Sequence, residues 1–319
     1  MILVTGPTGF VGSALIHRLL MDKGSSNVLA AVRCSDRERR WPKGVNTVQV
    51  GDLMPVTDWH AVLQGVSEIV HLAARVHIMN DKSPNTLAEF RHVNVAATAN
   101  LARQAAAAGV RRFIYLSSIK VNGESTAVGR PFKAVDMPAP EDPYGVSKHE
   151  AEQLLRLIAA ESGMEVVIIR PPLVYGPGVK ANFASMMRWL ARGVPLPLAG
   201  VTENRRSLVA LDNLVDLIVT CLKHPAAADQ TFLVSDGEDL STAALLRRIG
   251  NAQGIPARLF HAPVATLRLG AALLGKQSIY HRLCGSLQVD IRKTQELLGW
   301  TPPVSVDEGL RRMAEGFRA

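Results

Sequence analysis

A doubly wound, mostly parallel α/β sheet is the fold this sequence predicts, on three features. Short β-branched and apolar runs alternate with helix-like segments through the first half of the chain. The first of those runs turns at once into three spaced glycines that open a helix. The 319 residues are 47% hydrophobic but only 5% aromatic, which suits helices packed on a sheet. Strands alternating with helices argue for parallel pairing through crossover connections. A chain of this length can bury a large core, as one domain or two closely joined ones.

Ile2–Thr5 reads as the first strand. Gly6, Gly9 and Gly12 mark the turn after it, and Ala14, Leu15, Leu19 and Leu20 give the helix Phe10–Met21 an apolar face. Glycines let backbone N–H groups approach a pyrophosphate, which also gains from the positive end of the helix dipole. Gly6, Thr8, Gly9, Phe10, Val11 and Gly12 are therefore expected to bind a dinucleotide, the alternative being a bare glycine-rich turn. Strands are expected near Val28–Val32, Thr47–Val50, Glu68–Leu72, Arg112–Leu116 and Glu165–Ile169. Helices are expected around Val56–Leu63, Thr86–Ala108 and Pro143–Ser162. After Gly176 the pattern loosens and prolines become frequent. The expected division is a dinucleotide-binding part over residues 1–175 and a smaller substrate-binding region over 176–319, with 206–234 rejoining the main sheet.

The segment Tyr144-Gly145-Val146-Ser147-Lys148 puts a phenol and an ammonium four residues apart on the first turns of a helix. Residues so spaced share a face, with Cβ atoms roughly 5–6 Å apart. A free tyrosine has a pKa of about 10, and a neighbouring cation favours the phenolate. Lys148 is therefore expected to lower the Tyr144 pKa and fit it for proton transfer near neutrality. The alternative is a solvated helix face on which the spacing arises by chance.

Composition excludes several classes. No apolar run approaches the ~20 residues that span a bilayer. The amino terminus already forms the first strand, so no secretory signal is read there. Cys34, Cys221 and Cys284 are odd in number, far apart and without metal-ligand spacing, so free thiols in a reducing cytoplasm and no metal site are expected. The net charge is +8, but only Arg37–Arg40 and Arg111-Arg112 cluster and no aromatics are interleaved. Anionic small ligands explain that charge better than nucleic acid does.

With the glycine turn and the Tyr144–Lys148 pair in view, the chain resembles the extended short-chain dehydrogenase/reductase superfamily over nearly its whole length. The likeness is to its nucleotide-sugar epimerase, dehydratase and reductase branch, which implies a Rossmann-type fold. Val70–Ala74 is similar to the family's fourth-strand segment beneath the cofactor, which implicates Leu72, Ala73 and Ala74. Tyr115–Ser118 resembles the fifth strand ending in the catalytic hydroxyl. Arg170–Gly178 resembles the loop near the nicotinamide, implicating Pro171 and Val174, with Tyr175 beside them. Arg205–Asp212 resembles the return segment in which an arginine meets the substrate diphosphate. The resemblance implies that Tyr144 is the general acid/base, that Lys148 holds the nicotinamide ribose, and that Ser118 hydrogen-bonds the reacting oxygen. It implies that Asn94 supports the active-site region. Ser117 in place of Ser118, and a purely backbone-capping Asn94, stay open. Asn122 stands where the family commonly has tyrosine, a change that bears on how the substrate is bounded.

For the cofactor, the end of the second strand, about 20 residues past the glycine motif, carries an acid when the 2′-hydroxyl of NAD is bound. Here it carries Arg33, followed by Arg37, Arg39 and Arg40, and a guanidinium suits a 2′-phosphate. NADPH is favoured over NAD(H), with Asp36 as the residue that a shift of register brings to the ribose. Asp52 and Leu53 resemble the pair that meets adenine.

Ser118 is followed by Ile119-Lys120 and not by the acidic pair of dehydratases. The chain most resembles bacterial reductases of UDP-linked 4-keto-6-deoxy-N-acetylhexosamines, enzymes of surface-polysaccharide synthesis, through His71–His77, Ser118–Glu124 and Val179–Phe183. The expected reaction is hydride delivery to C4 with Tyr144 protonating the oxygen; a C4 epimerase with tightly held NAD is the alternative, and a non-catalytic dinucleotide sensor a third. For the UDP end the implied residues are Asn182, Arg206, Arg205 and Arg282. A homodimer is the family habit.

Overall fold

The computed structural model describes residues 1–22, 27–33, 41–76 and 85–318. Cys34, Asp36, Arg37, Arg39, Arg40 and His77 lie outside the described residues, as do the expectations placed on them. Seven parallel strands form one sheet in the spatial order β3 (Val45–Gln49), β2 (Val28–Val32), β1 (Ile2–Thr5), β4 (Glu68–His71), β5 (Arg112–Leu116), β6 (Glu165–Arg170) and β9 (Thr231–Leu233). The fold is the Rossmann-type α/β sheet expected.

Alternation along the strands feeds two separate cores. Val4, Val70, Ile114 and Val167 face α1 (Phe10–Met21) and α6 (Leu211–Lys223). Leu3, Ile69, Phe113 and Val166 face α3 (Thr98–Ala107) and α4 (Pro143–Ser162). With both faces covered, the strands read as nearly continuous apolar runs. Helix α4 starts and stops on local signals. Asp142 accepts from the Gly145 amide at 2.6 Å, Pro143 occupies the first turn, and Gly163 closes it at φ 73°.

Three expectations need correction. Residues 56–63 do not form a helix, because side chains of α3 claim their backbone. Thr57 O accepts from Asn100 Nδ2 at 2.8 Å and Gln104 Nε2 at 2.9 Å, and the Trp59 amide donates to Gln104 Oε1 at 2.8 Å. The long helix expected at 86–108 runs unbroken from Thr86 to Ala107, but between α2 (Thr86–Phe90) and α3 it is wound as a π-helix over Arg91–Ala97. Of residues 206–234, only β9 hydrogen-bonds into the main sheet. Strand β8 (Arg206–Ala210) instead lies between β7 (Leu173–Tyr175) and β10 (Asp239–Leu240) in a second sheet.

That second sheet covers a third core with α5 (Ala181–Ala191), α7 (Thr242–Gln253) and α11 (Val306–Arg318), through Phe183, Met187, Leu246, Leu310 and Met313. Helix α10 (Arg292–Leu298) packs near β9, while α8 (Val264–Leu273) and α9 (Gln277–Cys284) pack on each other. Among the described residues, no helix is long and apolar enough to cross a membrane.

Candidate active site

Strand order reverses between β1 and β4, and ligands of open α/β sheets sit at the carboxyl ends of the strands at such a switch. A cleft of about 1050 Å³ opens there. Its floor is the turn after β1, where the backbone leaves no room for side chains. Gly6 has φ +67°, and a Cβ on it would sit 2.8 Å from Ala73 N; one on Gly12 would sit 2.1 Å from Gly6 O. Gly9, the N-cap of α1, has no side-chain cap, so first-turn amides of α1 stay available to an anion. This cradle fits a dinucleotide pyrophosphate.

The cleft is lined by Gly6, Thr8, Gly9, Phe10, Val11 and Gly12, by Leu72, Ala73 and Ala74 after β4, and by Arg33, Asp52 and Leu53 at its far end. Tyr144 and Lys148 close the opposite wall. Helix α4 reaches this position because Gly145 lets it approach the neighbouring turn; a Cβ there would stand 2.8 Å from Lys120 O.

The charge state of that wall differs from the sequence expectation. Burial, with a smaller contribution from Asp142, pushes the Tyr144 phenol above its ordinary range. Lys148 does not offset this: its Nζ donates to Leu116 O at 2.9 Å and lies 4.5 Å from the Tyr115 ring centroid, against 5.9 Å for Tyr144. Burial pushes the Lys148 ammonium down to about 7, and Glu152 opposes that shift. Lys148 is thus the group poised to titrate near neutrality.

Glu152 is buried and bidentate to Arg170, with Nε–Oε1 at 2.9 Å and Nη2–Oε2 at 2.5 Å, and it accepts from Ser117 Oγ at 2.5 Å. Arg170 Nη1 in turn donates to Asn122 Oδ1 at 2.9 Å. Asn122 therefore points into a structural network and not toward the cleft. The signal for Glu152 was present in the sequence: it continues the four-residue spacing of Tyr144 and Lys148. His71 was passed over as well. Burial, then Lys148, push its pKa down to about 3, so a neutral imidazole bridges Thr5 Oγ1 at 2.8 Å and Thr98 Oγ1 at 3.0 Å under the cleft.

Asn94 sits in the π-helical stretch and acts as a bracket. Its Oδ1 accepts from Arg75 N at 2.8 Å, and its Nδ2 donates to Arg75 O and Ser147 Oγ, both at 3.0 Å. It ties the segment after β4 to α4. Ser117 lines the cleft, whereas Ser118 is half-buried at the N-cap of the turn Ile119–Val121, accepting from Lys120 N at 3.3 Å. Pro171 and Val174 lie outside the cleft lining, and Tyr175 is turned inward, donating to Asp236 Oδ2 at 2.7 Å.

The residues expected at the diphosphate are not brought to this cleft. Arg206 Nη1 donates to Gly285 O at 3.1 Å, and burial lowers its pKa. Arg205 Nη1 donates to Thr202 O at 2.7 Å. Arg282 is on α9. Asn182 is in the first turn of α5, and its side chain lies outside what the structure describes. Among the described residues, no group of His, Cys, Asp or Glu could hold a metal ion.

The chain matches the NAD dependent epimerase/dehydratase family over residues 2–235. It is similar to a UDP-glucose 4-epimerase of Vibrio cholerae, with 51% identity over 99% of this chain and 95% of that protein. A UDP-glucose 4-epimerase of Mycolicibacterium smegmatis is 30% identical over 99% of this chain and 98% of its own length. Among solved structures, MoeE5 in complex with UDP-glucuronic acid and NAD is 26% identical with a TM-score of 0.76, covering 99% of this chain and 98% of that one.

Proposed function

The chain belongs to the NAD dependent epimerase/dehydratase family, and from that premise we propose that it is a UDP-hexose 4-epimerase working with retained NAD. The observation that carries this reading is the shared cleft: a phenol and an ammonium face the glycine cradle, in a chain 51% identical to a UDP-glucose 4-epimerase. That identity supports the epimerase, the second choice on sequence, above the reductase that came first.

When bound, NAD supplies a reversible hydride acceptor for C4 of the sugar. The glycine turn holds its pyrophosphate, Leu72–Ala74 floor the site, and Lys148 holds the nicotinamide ribose. As a phenolate, the form that a protonated Lys148 and the cationic nicotinamide of bound NAD would favour, Tyr144 would take the proton from the C4 hydroxyl oxygen and later return it, with Ser118 hydrogen-bonding the same oxygen. Asn94 keeps α4 in register with the cleft and acts as a positioning residue. Residues 176–319 supply the UDP end, with Arg206 the residue of choice for the diphosphate and Asn182, Arg205 and Arg282 around it. Lys120, where dehydratases carry acid, is bonded to Asp142 at 2.5 Å and to Glu124 at 2.8 Å, which argues against elimination.

The 4-keto reductase remains a second reading, favoured by Arg33, which lines the adenosine end of the cleft and suits a 2′-phosphate. One experiment separates them. The purified protein is given UDP-glucose without added cofactor, and UDP-galactose is followed. Interconversion supports the epimerase. No interconversion, with stoichiometric NADPH oxidation on a UDP-linked 4-keto-6-deoxy-N-acetylhexosamine, overturns it in favour of the reductase.

A further inference from the structure

The hairpin of α8 and α9 lies apart from the cleft and carries an apolar face that the fold leaves uncovered. Leu269, Leu273 and Leu274 are 62%, 79% and 75% exposed, and Phe260 and Ile279 on either side are 50% and 42% exposed. No residue of α8 is buried. Single exposed leucines are ordinary; five large apolar side chains within 20 residues of chain are not.

Charge narrows the choice of occupant. The stretch that holds the hairpin, residues 258–284, contains four Lys and Arg and no Asp or Glu. Arg258, Arg268 and Lys276 are interspersed with the apolar residues. A second copy of the same face would meet like charge. Leu273 and Leu274 are adjacent and exposed at the end of α8, before the left-handed turn at Gly275 (φ +62°). Exposed leucines among cations suit the boundary between headgroups and acyl chains of an anionic bilayer. There apolar side chains enter the boundary while lysine and arginine heads stay with the phosphates.

We propose that the α8–α9 hairpin docks this protein on an anionic membrane surface, with Leu269, Leu273 and Leu274 as the inserting residues. The attachment is peripheral, since helices of ten and eight residues are too short to span. It concerns a face separate from the cleft, so it holds whichever reaction the cleft performs.

The test is co-sedimentation of the full chain with vesicles of phosphatidylglycerol mixed into phosphatidylcholine, against phosphatidylcholine alone. Binding at least about tenfold stronger to the anionic vesicles, weakened by salt, is expected. The double variant Leu273→Glu, Leu274→Glu should stay in the supernatant while keeping the wild-type unfolding temperature and turnover. Wild-type protein left in the supernatant with anionic vesicles overturns the proposal, as does a variant that still sediments. Size-exclusion chromatography covers the other occupant: a wild-type oligomer that the variant dissolves, without vesicle binding, would make this face a contact between copies.

Discussion

At the dinucleotide end of the cleft, position is set by the backbone. Gly12 is fixed by a carbonyl that would lie 2.1 Å from any Cβ, and Lys148 and Tyr144 ride on a helix whose start is capped by Asp142. In the region outside that cleft where the diphosphate is expected, position depends on long side chains. Arg205 and Arg206 are two residues of one loop-to-strand junction, and each gives its guanidinium to backbone carbonyls of different segments. A backbone site is built before any ligand arrives, whereas an arginine site exchanges existing hydrogen bonds for new ones. The first is therefore the more sensitive to a single atom, and substitutions can separate the two.

The largest effect is expected at Tyr144. Replacing it by Phe removes the proton carrier and leaves the ring packed edge-on to Phe90. Turnover should fall by about 10²–10⁴. Cofactor affinity, measured by fluorescence titration, should stay within about twofold, which is small against the tenfold per 1.4 kcal/mol of binding energy. A variant retaining most of its activity would remove Tyr144 from the mechanism.

Next comes Glu152→Ala, which strands Arg170 in the interior. Breaking a buried pair from one side typically costs about 3–5 kcal/mol. Denaturant unfolding should register a loss of that size; a loss below about 1 kcal/mol, the scale of an exposed pair, would mean that the network under Ser117 is not holding the cleft wall.

Gly12→Ala follows. Overpacking of this kind costs about 1–3 kcal/mol, and because Gly6 O is backbone, the strain should emerge as weaker cofactor binding. An alanine variant that binds NAD as the wild type does would break the contrast drawn between the two ends.

How legible each end was follows the same line. Ile2–Thr5, Phe10–Met21, Arg112–Leu116 and Pro143–Ser162 were readable to the residue, because glycine, proline, a capping aspartate and β-branched runs act locally. Residues 56–63 were misread as helix because Asn100 and Gln104, some 45 residues away, own their backbone. The direction of the Tyr144 shift was misread because burial and Asp142 both raise it while Lys148 is turned to Leu116 O, and burial is a tertiary quantity. Arg206 was found as a residue type, but its partner at Gly285 is 79 positions on, beyond any local pattern.

Burial also gives a pH signature. The Lys148 ammonium is held at about 7 against an ordinary 10.5, so between those values the unfolded chain binds a proton that the folded chain does not. Wild-type stability should therefore rise with pH across that window relative to Lys148→Met, by up to about 1.4 kcal/mol per pH unit. Below pH 7 both states are protonated and the difference between the two proteins is flat. Parallel stability curves from pH 7 to 10 would mean that the ammonium is solvated in the free protein.

The smallest effect sharpens the comparison at its weaker end. Arg206 is half-buried with a pKa depressed by desolvation, whereas Arg205 is bonded near the surface to its own loop. A charge-assisted hydrogen bond is worth about 1.5–3 kcal/mol once water is removed from around it. Arg206→Ala should therefore raise the KM for the UDP-sugar by about tenfold, at 1.4 kcal/mol per decade, with kcat little changed. Arg205→Ala, losing a guanidinium already committed to Thr202 O and Asn204 O, should change KM by no more than about twofold. The substitutions also differ in what they leave behind. Losing Arg206 leaves Gly285 O without that donor near α9, and losing Arg205 removes a donor from Thr202 O and Asn204 O. Equal effects on KM would mean that the diphosphate is met by the loop as a whole and not by one guanidinium.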